Sequence, residues 1–264
     1  MNFTIGTDPE HFISQDNKWV SAFGRIPGTK DQPHKVNHGA VQIDGMATEF
    51  NVDPADSADQ LVANIKAVRQ QLADMLPGFQ FLEQASVKLT NEIFETMPLE
   101  ALLLGCDPDF NCYTGDINPA PDMMMPMRTA GGHVHVGGFH TNDIYSEEHF
   151  TKMGRLISLM DESVGIYSLL WDKDDERRQL YGKAGAFRPK SYGVEWRTPS
   201  AMWTFKDDLI KFVFNQTGKA IARFFDADYQ PHHDVQSIMN NSDRNHALLQ
   251  DGEEVRYLKA VMGV

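Results

Sequence analysis

The run Gly131-Gly-His-Val-His-Val-Gly-Gly138 constrains this chain more than any other stretch. Along an extended strand successive side chains point to opposite faces, so His133 and His135 share one face while Val134 and Val136 share the other. The valines predict a core on their side, and the imidazoles predict a surface that carries chemistry. Glycine pairs at both ends weaken a strand unless a ligand or another backbone has to come close. The spacing therefore predicts a site built on a strand.

Two other stretches repeat the same two-residue spacing. Gly6-Thr-Asp-Pro-Glu-His-Phe12 places the carboxylates Asp8 and Glu10 on one strand face, and Tyr192-Gly-Val-Glu-Trp-Arg-Thr198 does the same with Glu195 and Arg197. If the three strands share a sheet, carboxylates, imidazoles and a guanidinium meet on one surface. Such a surface suits hard divalent cations and the phosphates they carry.

Composition narrows the function. A chain of 264 residues with 41% hydrophobic content can bury a large core, and we expect one domain over residues 1–264. A net charge of −13 argues against nucleic acid or an anionic membrane as partner, because phosphate backbones are bound through excess Lys and Arg. Cys106 and Cys112 are too few for a disulfide framework and are not spaced as CxxC, which predicts a reduced, intracellular protein. With no leader-like start and no apolar run of spanning length, the expected location is the cytoplasm. The oligomeric state is not legible.

Taken in order, residues 2–14 read as a strand carrying Asp8 and Glu10, at an edge or bulge because Pro9 cannot donate a ladder hydrogen bond, with 17–23 as its partner. Residues 24–39 read as a loop over the site, with His34 and His38 in solvent. Residues 40–52 read as a strand or bulged strand pair. There Glu49 is expected as a ligand, since an unpaired carboxylate in an apolar run is costly, and Asp44 stays open between ligand and exposed acid.

Leu61, Ile65, Val68, Leu72 and Met75 recur at helical spacing, with Ser57 or Asp56 as cap and Pro77-Gly78 as stop. A strand is expected over 79–89 and a short apolar segment over 98–104. Gly105-Cys-Asp-Pro-Asp109 echoes Gly6-Thr-Asp-Pro-Glu10 without amounting to a repeat. Residues 115–127 read as a long Met-rich and Pro-rich loop, either a wall of the site or a packed crossover. Phe150 to Trp171 gives the clearest helix. Charged helical residues continue over 172–183, including Arg177 and Arg178, and residues 181–190 suggest a phosphate-binding loop before the Glu195 strand. An amphipathic helix over 206–226 and two short helices over 241–250 and 253–262 complete the scaffold.

Zinc is the rival ion for a His-x-His strand. The acidic i, i+2 pairs and the arginine beside Glu195 favour magnesium or manganese with a nucleotide, since a guanidinium next to a metal ligand suits a shared phosphate. No Ser-His or Cys-His pairing is evident.

These stretches, in this order, resemble the glutamine synthetase and glutamate-cysteine ligase superfamily of carboxylate-amine ligases. Arg128-Thr-Ala-Gly-Gly-His-Val-His-Val-Gly, Tyr181-Gly-Lys-Ala-Gly-Ala-Phe-Arg and Tyr192-Gly-Val-Glu-Trp-Arg-Thr more closely resemble its phage-encoded branch, the phiEco32-like COOH-NH2 ligase type 2 family. The resemblance covers about residues 3–205. It implies an α+β fold, a curved and mostly antiparallel sheet with helices on its convex face. It also implies a site where ATP phosphorylates a carboxylate and an amine then displaces phosphate. Asp8, His133 and Glu195 would hold one Mg2+ or Mn2+, and Glu10 with Glu49 the other. His135, Arg188 and Arg197 would face phosphate, Arg188 and Arg197 as the catalytic pair, with Arg128 and Arg178 as further nucleotide contacts. Asp8 departs from the glutamate of the classical synthetases, which shortens that arm by one methylene. Substrates would be a small-molecule or peptide carboxylate and an amine. The alternatives are a non-catalytic nucleotide-binding or metal-binding phage protein and a zinc-dependent hydrolase.

Overall fold

Pro9 divides the N-terminal run, because a residue without an N–H cannot continue a ladder. In the computed structural model, which describes residues 3–102, 109–119, 122 and 125–263, the expected strand over 2–14 is three: β1 (Thr4–Thr7), β2 (Glu10–His11) and β3 (Ile13–Gln15). Asp16 and Asn17 both take positive φ (51° and 61°), the two-residue turn that matches strand twist, and return the chain into β4 (Lys18–Val20).

The expected loop over 24–39 contains β5 (His34–Val36), so His34 sits on a strand rather than in a loop. A hairpin of β6 (Gly39–Asp44) and β7 (Ala47–Val52) follows. Helix α1 (Ala58–Asp74) begins where the Ser57 side chain accepts from Gln60 N, and its Leu61, Ile65, Val68 and Leu72 are buried. The expected strand over 79–89 is two short ones, β8 (Gln80–Phe81) and β9 (Ser86–Lys88). Helices α2 (Asn91–Thr96) and α3 (Leu99–Leu102) come next. The Gly105-to-Asp109 echo lies outside the described residues apart from Asp109, as do residues 103–104 of the apolar segment and parts of the Met-rich loop.

Strands β10 (Phe110–Asn111), β11 (Met127–Thr129) and β12 (Val134–Gly137) lead to α4 (Glu147–Met160). That helix passes through a π-helical turn (Asp161–Gly165) into α5 (Ile166–Trp171), and α6 (Asp175–Leu180) follows. Residues 186–190 form β13 (Ala186–Lys190) rather than a loop, paired with β14 (Gly193–Trp196). Helices α7 (Asp207–Phe225), α8 (Val235–Asn240) and α9 (Glu253–Met262) complete the chain; of the helix expected over 241–250 a 3-10 turn at Ala247–Leu249 is present, and α8 precedes it.

The fold is α+β with antiparallel sheets. The main sheet runs β1-β12-β14-β13-β10, which puts the Asp8, His-x-His and Glu-x-Arg segments side by side. A second sheet, β2-β7-β6-β5, carries Glu10, Glu49 and Asp44. The acidic pair expected on one strand face is thus shared between two sheets. They meet where Glu10 N donates to Gly131 O (2.8 Å) and Ile5 pairs with Ala55.

Alternation does the rest. Val134, Val136, Val194, Trp196 and Phe187 are buried in one cluster with Met153, Ile157 and Met160 of α4 and Ile210 and Val213 of α7. Each such side chain contributes about 1.5–3 kcal/mol on burial. That packing fixes which face is covered by helices and leaves the imidazole face to a cleft. Asp161, at the π turn, ties helix to sheet by accepting from Trp196 Nε1 (2.9 Å) and Gly185 N (2.6 Å). Among the described residues no helix is long and apolar enough to cross a membrane.

Candidate metal and anion site

Register alone assembles the site. Gly6, His135, Glu195 and Arg188 stand in one row across β1, β12, β14 and β13, and Thr4, Gly137, Gly193 and Lys190 stand in the next. Asp8, His133 and Arg197 extend the same alternation beyond the strand ends. This face lines a cleft of about 720 Å³, and Glu10, Asp44 and Glu49 of the second sheet line it too.

Asp8 lies between the imidazoles. Its Oδ1 is 3.1 Å from His133 Nδ1 and its Oδ2 is 3.1 Å from His135 Nε2, while Glu195 Oε1 is 3.6 Å from His133 Nδ1. Ligand atoms of Asp8, His135 and Glu195 fall within 4.8 Å of one another. Among the described residues, Asp8 Oδ1, both nitrogens of His133 and Nε2 of His135 are buried without a hydrogen-bond partner. Buried polar atoms are normally paired; Asp8 Oδ1, His133 Nδ1 and His135 Nε2 gather around the Asp8 carboxylate and fit a divalent cation, whereas His133 Nε2 lies on the other side of its ring, toward Gly131. The Tyr192 hydroxyl hydrogen-bonds His135 Nδ1 (2.5 Å), which turns Nε2 toward Asp8. Gly131 leaves room for the His133 ring: a Cβ there would lie 2.5 Å from Nε2.

Burial raises the Asp8 carboxyl, yet His135 and His133 together hold it well below the carboxylate range. Burial lowers His135, and Asp8 outweighs that and raises it; burial and then Arg197 lower His133. The second carboxylate group behaves otherwise. Glu10 stands opposite Glu49 in the β2–β7 ladder. Burial and then Asp44 push Glu10 up to about 8, against a hydrogen bond from Gly131 N to its Oε2 (2.8 Å). Burial, then Asp8, Asp44 and Glu10, push Glu49 well above its ordinary value, and Gln42 donates to its Oε2 (2.6 Å). Burial raises Asp44 as well. Acids that repel one another in a shared pocket hold protons until a cation arrives, so Glu10 and Glu49, with Asp44, have the chemistry of a second cation site.

The expected phosphate contacts fare unevenly. His135 stands among the carboxylates rather than apart from them, because it faces Glu195 across the ladder and reaches Asp8. Arg188 lines the cleft with Nη1 3.4 Å from both Glu195 oxygens. Arg197 is committed: Nη1 bonds Glu195, Nη2 bonds the Tyr181 hydroxyl, and Nε donates to Asp109 Oδ2 (3.0 Å), with the residue only 5% exposed. Its position favours holding the site together over meeting a phosphoryl group. Arg128 lines the cleft wall but gives its guanidinium to the carbonyls of Met125, Met127 and Leu102 (2.8–2.9 Å). Arg178 is not at the cleft at all: it is buried beside Asp172 and donates to Ser168 Oγ, since α6 turns that face into the helical layer.

Sequence reasoning covers Lys190 only as the end of the expected 181–190 loop and does not single it out, although its Nζ lies 2.7 Å from Glu195 Oε2 and it follows Arg188 by the same two-residue step that marked the other pairs. It also missed Tyr192, Tyr181 and Asp109. Asp109 meets Arg197 across 88 residues of chain, and no local pattern announces that.

No protein-family model matches the chain, and no curated protein matches it. Among solved structures, it is similar to a bifunctional glutathione synthetase from Pasteurella multocida, with a TM-score of 0.41 and 10% identity. The match covers 99% of this chain and 46% of that one, so the chain spans under half that enzyme's length.

Proposed function

We propose that this chain is an ATP-dependent carboxylate-amine ligase requiring Mg2+ or Mn2+, which forms an amide bond through an acyl phosphate. The observation that carries the reading is the set of orphaned ligand atoms on Asp8, His133 and His135, beside Glu195 and the cations Arg188 and Lys190, in one cleft. The motif order that resembles the glutamine synthetase superfamily, and its phage-encoded branch, supports it and suggests the matching single-domain, glutamine synthetase-like architecture.

Asp8, His133, His135 and Glu195 would hold one cation, and Glu10 with Glu49 another; when bound, such ions neutralise the phosphoryl oxygens and orient them. The rest is the work of the chain. Arg188 and Lys190 stand where a negatively charged phosphoryl group would meet them, and charge-assisted donors fixed beforehand stabilise charge that develops in transfer. Arg197 positions Glu195. A carboxylate is a poor acylating agent, and a phosphate leaving group removes that obstacle, so no side-chain nucleophile is needed. The substrates are a small-molecule or peptide carboxylate and an amine.

The test is mass spectrometry of amide products from libraries of amino acids and peptides with ATP and each metal. ADP and phosphate should appear only when both a carboxylate and an amine are supplied. One observation favours a second reading: two imidazoles and a carboxylate also suit zinc, as in a hydrolase. Stabilisation by Zn2+ alone, with ATP adding nothing, would decide for it.

A further inference from the structure

Glu195 carries more cations than one carboxylate can keep once a metal ion approaches. The residue is 1% exposed, and its two oxygens meet Arg197 Nη1, Arg188 Nη1 at 3.4 Å, Lys190 Nζ at 2.7 Å and His133 Nδ1 at 3.6 Å. A divalent ion held by Asp8, His135 and Glu195 would add two positive charges beside that group. Cations repel across such distances in a buried site, so a partner whose attachment is weakest has to leave.

Arg197 is tied to Asp109 and Tyr181 as well and is nearly buried. Lys190 differs. Its side chain is 29% exposed and lines the cleft, and it reaches Glu195 diagonally from the neighbouring row. Gly193 and Gly137 stand beside it in that row and present no side chain to its stem. At Gly193 the backbone itself requires glycine, with φ at 152° and a Cβ that would lie 2.1 Å from Val136 O. An ammonium on a flexible stem, leaving a carboxylate within a cation-rich patch, is a point-charge binder for an oxyanion.

We propose that Lys190 is an oxyanion-binding residue restrained by Glu195, and that a divalent cation taking the Glu195 carboxylate releases the Lys190 ammonium to a phosphate-class oxyanion in the cleft. This rests on the cation site of the proposed function but not on ligase activity. Cation and oxyanion then enter together because each makes room for the other's charge, which gives positive coupling between two ligands of one cleft.

Replacing the carboxylate should release Lys190 without any metal. Inorganic phosphate is titrated calorimetrically at constant ionic strength into protein stripped of metal on a chelating resin, with melting temperature as the check on folding. Glu195→Gln should bind phosphate roughly tenfold or more tighter than the wild type, and Glu195→Gln/Lys190→Met should return to the wild-type value. A folded Glu195→Gln protein with no gain, or a double variant that keeps the gain, overturns the proposal. A second arm stands if Glu195→Gln does not fold. Mn2+ should strengthen phosphate binding to the wild type, and Lys190→Met should lose that gain by about tenfold while binding Mn2+ at least as tightly as the wild type, because Glu195 is then relieved of its ammonium partner. Full retention of the gain in Lys190→Met overturns it equally. The metal-free arm holds no nucleotide and forms no product, so its outcome is separate from the failure or success of the ligase reading.

Discussion

Arg197 closes on Glu195, two residues back along the chain, through Nη1, and spends its remaining nitrogens on Asp109 and Tyr181. Burial lowers the Arg197 guanidinium, but Tyr181, Glu195 and Asp109 together raise it well above its ordinary value, so the ion group is held charged. Removing the guanidinium leaves Asp109 and the Tyr181 hydroxyl without that donor, while Lys190 and Arg188 still face Glu195.

Arg197→Ala should therefore cost about 1–3 kcal/mol of stability, visible as a lowered midpoint in denaturant unfolding of the metal-free protein. Arg197→Lys should recover part of it, because one ammonium cannot replace three directed donors. An Arg197→Ala protein of wild-type stability whose turnover alone collapses would return this residue to the phosphoryl group.

Asp8→Asn should lose divalent cation affinity by at least about a hundredfold, since the change removes the charge shared by both imidazoles while keeping the shape of the side chain. Calorimetric titration with Mn2+ measures it. An affinity close to wild type would mean that the ion sits elsewhere in the cleft.

Gly131→Ala tests the mould rather than the ligand. The new methyl would meet His133 Nε2 at 2.5 Å, so the ring has to turn away from Asp8. The expected result is a folded protein with about tenfold weaker Mn2+ binding. Unchanged binding would remove His133 from the site.

Much of this site follows from one pattern. The i, i+2 spacing of His133 and His135, and of Glu195 and Arg197, defines a strand face, and Val134, Val136, Val194 and Trp196 define the opposite one as core. The Asp8 and Glu10 pair misleads for a physical reason: Pro9 breaks the ladder between them, and the second acid passes to another sheet, opposite Glu49. Arg178 misleads because a charged helical run does not reveal which face is buried. The meeting of Asp109 and Tyr181 with Arg197 is invisible in sequence, since it depends on strand order. Lys190 was legible by the spacing rule and was hidden inside what reads as a loop.

Glu10 sets a pH dependence. Burial and then Asp44 raise its carboxyl from 4.5 to about 8, so the folded chain keeps a proton that the unfolded chain has lost. Without a cation, its contribution to stability is fully present below about pH 4.5 and is lost as pH rises through 8. A cation held by Glu10 and Glu49 displaces that proton. Divalent cation affinity should rise by up to about tenfold per pH unit toward pH 8, and Glu10→Gln should flatten both trends. Thermal unfolding across pH, with and without Mn2+, checks the sign.

The central claim, that this cleft joins a divalent cation to ATP through the His-x-His strand, is tested most directly by pulsed electron paramagnetic resonance of the protein loaded with Mn2+ and ATP. Nitrogen modulation from coordinated imidazole, lost in the His133→Ala/His135→Ala protein, is expected together with phosphorus hyperfine coupling from the bound nucleotide. Bound Mn2+ with neither signal, or phosphorus coupling that persists with no imidazole nitrogen in the wild type, would contradict it.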